Sequence, residues 1–198
     1  MIATLAVVAN HLARGPSVSP LRARIVALAQ GQLGYHTDPS DTYCNRFSAY
    51  WDAGTADCGD GNLSEEWCAD FAAWAWKEAG ADVSYELAPG HLNADSASFY
   101  VWGEDHGTWH PVGSDYIPQP GDVAVYGLVL PATTAVHVAI VTGATDNDAA
   151  PDVINGDGDR TGFSVVETGT KQRYADVKGG GGKLSGYVSP SAPGSAGS

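Results

Sequence analysis

"PQPGDVAVYGLVLPATTAVHVAIVTG", residues 118–143, holds two short apolar runs, "GDVAVYG" and "HVAIVTG", each bounded by Gly, Asp or Pro. Runs this short and this rich in Val, Ile and Tyr read as strands rather than helices. "DVING" and "FSVVETG" repeat the pattern downstream, and "KGGGGKLSGYVSP" reads as a loop followed by a last strand. The chain from Pro120 onward is therefore an antiparallel meander. Upstream the apolar period changes. "SPLRARIVALAQGQLG" (19–34) sets Leu21, Ile25, Leu28 and Ala29 on a helical stripe closed by Gly34. "SEEWCADFAAWAWKEAG" (64–80) is a second helix and "DSASFYVWG" (95–103) a short third one. Helices first and strands afterwards give an α+β class, with N-terminal helices packed on a C-terminal antiparallel sheet.

The 198 residues suffice for one domain with a sizeable core, placed at 19–190. Residues 1–18 form a separate N-terminal segment. Its "MIATLAVVA" is apolar like a partial signal or leader but lacks a basic region before it. Residues 191–198, within "SPSAPGSAGS", read as a flexible tail. A net charge of −13 argues against a nucleic-acid partner and against electrostatic docking on anionic membranes or wall polymers. No apolar run approaches the roughly 20 residues of a membrane span. Few Lys and Arg with many Asp, Gly and Trp suit an exported, secreted protein, and a monomer is expected.

The helix at 64–80 contains a cysteine near its start. Ser64 is placed to cap it, Glu65 and Glu66 complement the positive end of the macrodipole, and Gly80 fits just past its end. Trp67, Phe71, Trp74 and Ala75 make a bulky stripe. Cys68, Ala72, Ala75 and Ala79 make a neighbouring face of small residues that another element can approach. A helix N-terminus favours thiolate over thiol, the two glutamates oppose this, and a histidine partner is needed to complete activation. The competing reading is a buried, inert cysteine in a tryptophan-rich core.

Two observations favour the nucleophile. Cys44 and Cys58 bracket "CNRFSAYWDAGTADC" and would staple it in an exported chain, leaving Cys68 as the odd thiol. Of six histidines, His137 alone opens a strongly patterned strand, from which it can face a helix packed on the sheet. The base of a Cys–His pair must reach the sulfur and needs a third group to fix its tautomer. "DVINGDGD" offers Asn155 and Asp157, two residues apart and so on one strand face.

"EEWCADFAAWAW", "PQPGDVAVYG", "HVAIVTG" and "VINGDGD", in that order, resemble CHAP domains, the cysteine- and histidine-dependent amidohydrolases and peptidases of bacterial cell walls. The likeness spans about Tyr43 to Tyr187 and is nearest to secreted actinobacterial members, which share the upstream cysteine pair and an "HGTWHP"-like segment. It implies a papain-like fold, Cys68 as nucleophile, His137 as general base and peptidoglycan as the substrate and partner. The family's Glu-x-Asn after the histidine strand is here Asn155 and Asp157. Asp157, isosteric with the expected asparagine, is the preferred orienting residue, with Asn155 the alternative. This departure leaves a non-catalytic wall-binding module as the second reading.

No cofactor and no metal are expected. Calcium is the lesser option, at "DGDRTGFSVVE", where Glu167 arrives one residue early, or, as the resemblance to CHAP relatives that bind calcium ahead of the nucleophile implies, at "DCGDGN". "HGTWH" (106–110) spaces two histidines by four but lacks the glutamate of a zinc-protease helix, so it reads as a loop with Trp109 and His110 packed near the cleft. Trp51, Trp76 and Trp102 are candidates for a sugar-binding groove.

Overall fold

The computed structural model describes residues 18–40, 42–144, 151–158, 166–169, 182–192 and 194. The N-terminal leader, most of the tail and the Asp159–Gly162 part of the calcium stretch lie outside the described residues.

Helix α1, Pro20–Gln30, starts at Ser19, whose hydroxyl accepts the Arg22 N–H, and ends on Gly31. Gly34 closes the turn that follows and not the helix itself. A short strand β1 (Cys44–Asn45) leads into α2 (Arg46–Trp51), capped by the fully buried Asn45. Strands β2 (Ala56–Asp57) and β3 (Leu63–Ser64) complete a small sheet of order β1-β3-β2. The Cys44–Cys58 disulfide, with Cα atoms 5.8 Å apart, staples this sheet.

Helix α3 runs Cys68–Ala79 and ends on Gly80 in the left-handed region. Ser64 does not cap it. The Ser64 backbone is committed to pairing with Cys44 and Ala56, so the chain stays extended and the helix begins four residues later, after Trp67. The glutamates at 65 and 66 therefore precede the helix instead of forming its first turn. Helix α4 covers Ala97–Asp105.

Strands β4 (Trp109–Pro111), β5 (Val123–Tyr126), β6 (His137–Gly143), β7 (Asp152–Asn155), β8 (Glu167–Gly169) and β9 (Leu184–Val188) form an antiparallel sheet of order β4-β9-β5-β6-β7-β8. The α+β expectation holds. Alternation along β5 and β6 sends Val123, Val125, Val138 and Ile140 to the helical layer, where they pack with Trp67, Phe71, Trp76 and Phe99. Ala124, Tyr126, Ala139 and Val141 face the other side with Val153 and Tyr187. Two polar contacts lock helices to sheet. Trp76 Nε1 donates to the Gly121 carbonyl at 2.9 Å. Arg22 pairs at 2.6 Å with the buried Asp122, which also accepts from Tyr116, the Gln119 N–H and Ser189.

Candidate active site

Cys68 is the first residue of α3. The first N–H groups of a helix have no intrahelical acceptor, so its backbone amide opens the helix's positive end. The small residues along α3 let the helix lie close to the sheet, and this brings the Cys68 sulfur against the backbone N–H of Val138, one residue from His137. His137 opens β6 opposite Tyr126 and is almost fully buried. His137 is thus the chain neighbour of the residue whose N–H meets the sulfur.

Asn155 ends β7, on the far side of β6, and is fully buried. Its Nδ2 donates to the Glu167 carbonyl of β8, which fixes the amide orientation and turns Oδ1 toward His137. His137 Nε2 lies 3.4 Å from that oxygen. An acceptor at this position places the imidazole proton on Nε2 and leaves Nδ1 as the basic nitrogen.

Asp157 does not share a strand face with Asn155. The strand stops at Asn155, and Asp157 takes a left-handed φ of 58°, so the alternation that would align the two no longer applies. Its Oδ2 accepts the Trp67 N–H at 3.2 Å, putting a carboxylate at the entrance of α3. Gly156 sets this approach: a Cβ there would fall 2.5 Å from Phe71 Cβ and 2.8 Å from Trp67 Cζ3. Its φ is ordinary, so the need for glycine is space alone. The sheet end and the helix start meet through the absence of a side chain.

The thiol is neutral at rest. Complete burial is the main cause, and the Asp157 and Asp70 carboxylates add to it, while donors from Ser96 and Val138 pull the other way; the balance pushes Cys68 up to about 12. A helix N-terminus alone suggests the opposite direction, and burial outweighs it. Asp70 itself is fully buried two residues along α3. It accepts from Ser48 at 2.6 Å and from Tyr85, and desolvation raises its pKa. Its carbonyl also accepts from Trp51 Nε1 at 3.0 Å, so the first turn of α3 is held by α2 and by the segment following α3.

Ser96 escaped the sequence reading. Its Oγ lies 3.2 Å from Cys68 Sγ. A serine just before a helical run looks like an ordinary cap, and nothing in the sequence tells the two apart. Its chain neighbours Asp95 and Ala97, with Leu87, His91, Val101 and Thr133, help to line an open cavity of about 390 Å³. A second, of about 330 Å³, lies between Trp51, Asp52, Tyr85 and Glu86, and the exposed Leu87 borders both.

The remaining candidates separate. Trp76 and Trp102 are core residues, whereas the half-buried Trp51 lines a cavity. His106 stacks on Trp102 at the end of α4, whereas His110 lies on strand β4 and stacks on Tyr116, at the opposite edge of the sheet from β7 and β8. The expected loop packed near the cleft is instead an edge strand. Among the described residues no three His, Cys, Asp or Glu side chains gather to hold a metal ion.

A family model, the CHAP domain, matches residues 59–157, half of the chain. The chain belongs to the CHAP domain family. The match begins just after Cys58 and ends on Asp157, so Cys68, Ser96, His137 and Asn155 all fall inside the CHAP segment. The family is one of hydrolytic amidases and peptidases associated with cell walls. No curated protein and no solved structure matches the chain significantly. Among the described residues, no helix of this CHAP protein is long and apolar enough to cross a membrane.

Proposed function

We propose that this CHAP protein is a secreted cysteine amidase or endopeptidase that hydrolyses an amide bond of peptidoglycan through a thioester. The observation that supports it most is the arrangement at the α3–β6 contact: a thiol at the first position of a helix, against the backbone N–H of Val138, whose chain neighbour is a buried histidine hydrogen-bonded to an asparagine amide.

The proposed chemistry follows from those positions. His137 Nδ1 takes the Cys68 proton as the sulfur attacks the substrate carbonyl carbon, and the resulting imidazolium keeps its Nε2–H on Asn155. The oxyanion is met by the Cys68 backbone N–H. His137 then gives its proton to the departing nitrogen, the C–N bond breaks, and an amine leaves the thioester. Water, deprotonated by the same histidine, attacks the thioester carbon, and the C–S bond breaks to release the acid and restore the thiol. A neutral resting thiol fits this concerted proton removal better than a preformed ion pair. Asn155 is assigned the orienting role and Asp157 the joining of β7 to α3. The thiol–imidazole chemistry is complete without a metal, so digestion is expected to be unchanged by EDTA.

The test is digestion of purified peptidoglycan by the native protein and by Cys68→Ala, with products identified by mass. Fragments from the native protein alone establish Cys68 as the nucleophile, and the new termini name the bond. If neither protein releases fragments while both sediment with walls, the chain is a binding module.

A further inference from the structure

Ser96 precedes α4 at the position from which a serine ordinarily caps a helix, yet its side chain makes no cap bond. Asp95 caps α4 in its place, accepting the Ala97 N–H at 2.8 Å, and is itself held by Asn93, which accepts the Asp95 N–H at 2.9 Å. Ser98, the next hydroxyl, is engaged with the Asn93 backbone. Ser96 Oγ, on a residue only 7% exposed, is aimed at the Cys68 sulfur instead. The α4 cap is thus filled by a neighbour, and the Ser96 hydroxyl is left for the thiol.

We propose that Ser96 is a further catalytic residue, whose hydroxyl donates a hydrogen bond to the Cys68 sulfur as it ionises and so favours the attacking thiolate. This rests on the reading of Cys68 as the nucleophile. A neutral thiol and a hydroxyl can each donate to the other, but a thiolate has no proton, so once the sulfur is ionised the hydroxyl must be the donor. The groups facing the sulfur make that donor count. Asp70 on α3 and Asp157 after β7 are carboxylates that resist ionisation, β6 contributes the Val138 N–H, and Ser96 is the donor from the α4 side. A hydrogen bond to a charged group in such a site changes the thiolate population by about tenfold or more.

The experiment is the rate of alkylation of Cys68 by iodoacetamide in the full chain, measured from pH 6 to pH 9. Native protein, Ser96→Ala and Asp95→Ala are compared, with thermal unfolding of each. Ser96→Ala is expected to lower the rate about tenfold or more at every pH, as a parallel displacement of the logarithmic plot. Asp95→Ala removes the α4 cap and lowers the melting temperature, but keeps the hydroxyl and does not lower the alkylation rate. Coincident plots for native protein and Ser96→Ala overturn the proposal. So does an equal fall in Asp95→Ala, which marks the effect as structural. Slower wall digestion by Ser96→Ala with unchanged alkylation overturns it too, by assigning the hydroxyl to the oxyanion. Should Cys68→Ala still digest walls while Ser96→Ala slows alkylation, the wall-cleaving role of Cys68 falls and the hydroxyl–sulfur coupling stands.

Discussion

Replacing Gly156 by alanine tests whether the end of β7 is held against α3 by close packing. The added methyl would lie 2.5 Å from Phe71 Cβ, 2.7 Å from Phe71 Cγ and 2.8 Å from Trp67 Cζ3. The closest of these is roughly 0.9 Å short of ordinary van der Waals contact. Neither partner has room to retreat, because both rings are fully buried in the helical layer and packed on Phe47, Trp67 stacked on it and Phe71 edge-on. The turn must therefore move away from the helix. Overpacking of this kind costs about 1–3 kcal/mol, and the rigid surroundings place Gly156→Ala toward the upper end. For a chain of this size that lowers the melting temperature by roughly 2–4 °C per kcal/mol. The same displacement draws Asn155 from His137 and Asp157 from the Trp67 N–H, and a 1 Å error in a catalytic group costs on the order of 100-fold in rate. Thermal unfolding and peptidoglycan digestion read the two effects separately. A variant that melts with the native protein and digests walls at the native rate refutes the packing account.

Other perturbations have defined outcomes. Asp157→Asn keeps an acceptor for Trp67 while removing a negative charge that holds the thiol up, so alkylation of Cys68 at neutral pH is expected to quicken. In the native protein the thiolate is a minor species throughout the neutral range, so the alkylation rate should rise about tenfold per pH unit between pH 6 and pH 9; a plateau in that interval contradicts the neutral resting thiol. Cys58→Ser opens a loop closed across 14 positions, and a loop of about 15 residues corresponds to ~3 kcal/mol, measurable by denaturant unfolding. Arg22→Met removes a charged donor from the buried Asp122 and is expected to cost about 1.5–3 kcal/mol, with α1 loosened from the sheet as read by hydrogen exchange.

The α+β order was legible because the apolar period changes visibly between "AQGQLG" and "GDVAVYG", and that period reflects local geometry. The start of α3 was not, because Ser64, Glu65 and Glu66 satisfy every local rule for a cap; only the pairing of Ser64 with Cys44 and Ala56, across 20 and 8 positions, overrides them. Asn155 and Asp157 were misaligned by an alternation that holds only while a strand continues, and the left-handed Asp157 ends it. The Cys44–Cys58 pairing was readable from counting cysteines and is present in the structure. The direction of the Cys68 shift was not readable, since burial and the Asp157 charge come from residues far along the chain. Ser96 was hidden in the same way: its role depends on a neighbour having taken its usual one.

Wherever oxidants keep the Cys44–Cys58 bond closed, the same chain must keep a third sulfur reduced and ready. Oxidation and disulfide exchange both proceed through the thiolate. With Cys68 held up near 12, the ionised form at pH 7 is on the order of one part in 100,000. The burial that makes the cysteine look inert therefore gives it a shelf life. It can neither scramble the Cys44–Cys58 bridge nor be capped by small oxidants at an appreciable rate. In the proposed mechanism it becomes a nucleophile only when a substrate carbonyl and a histidine draw its proton away together.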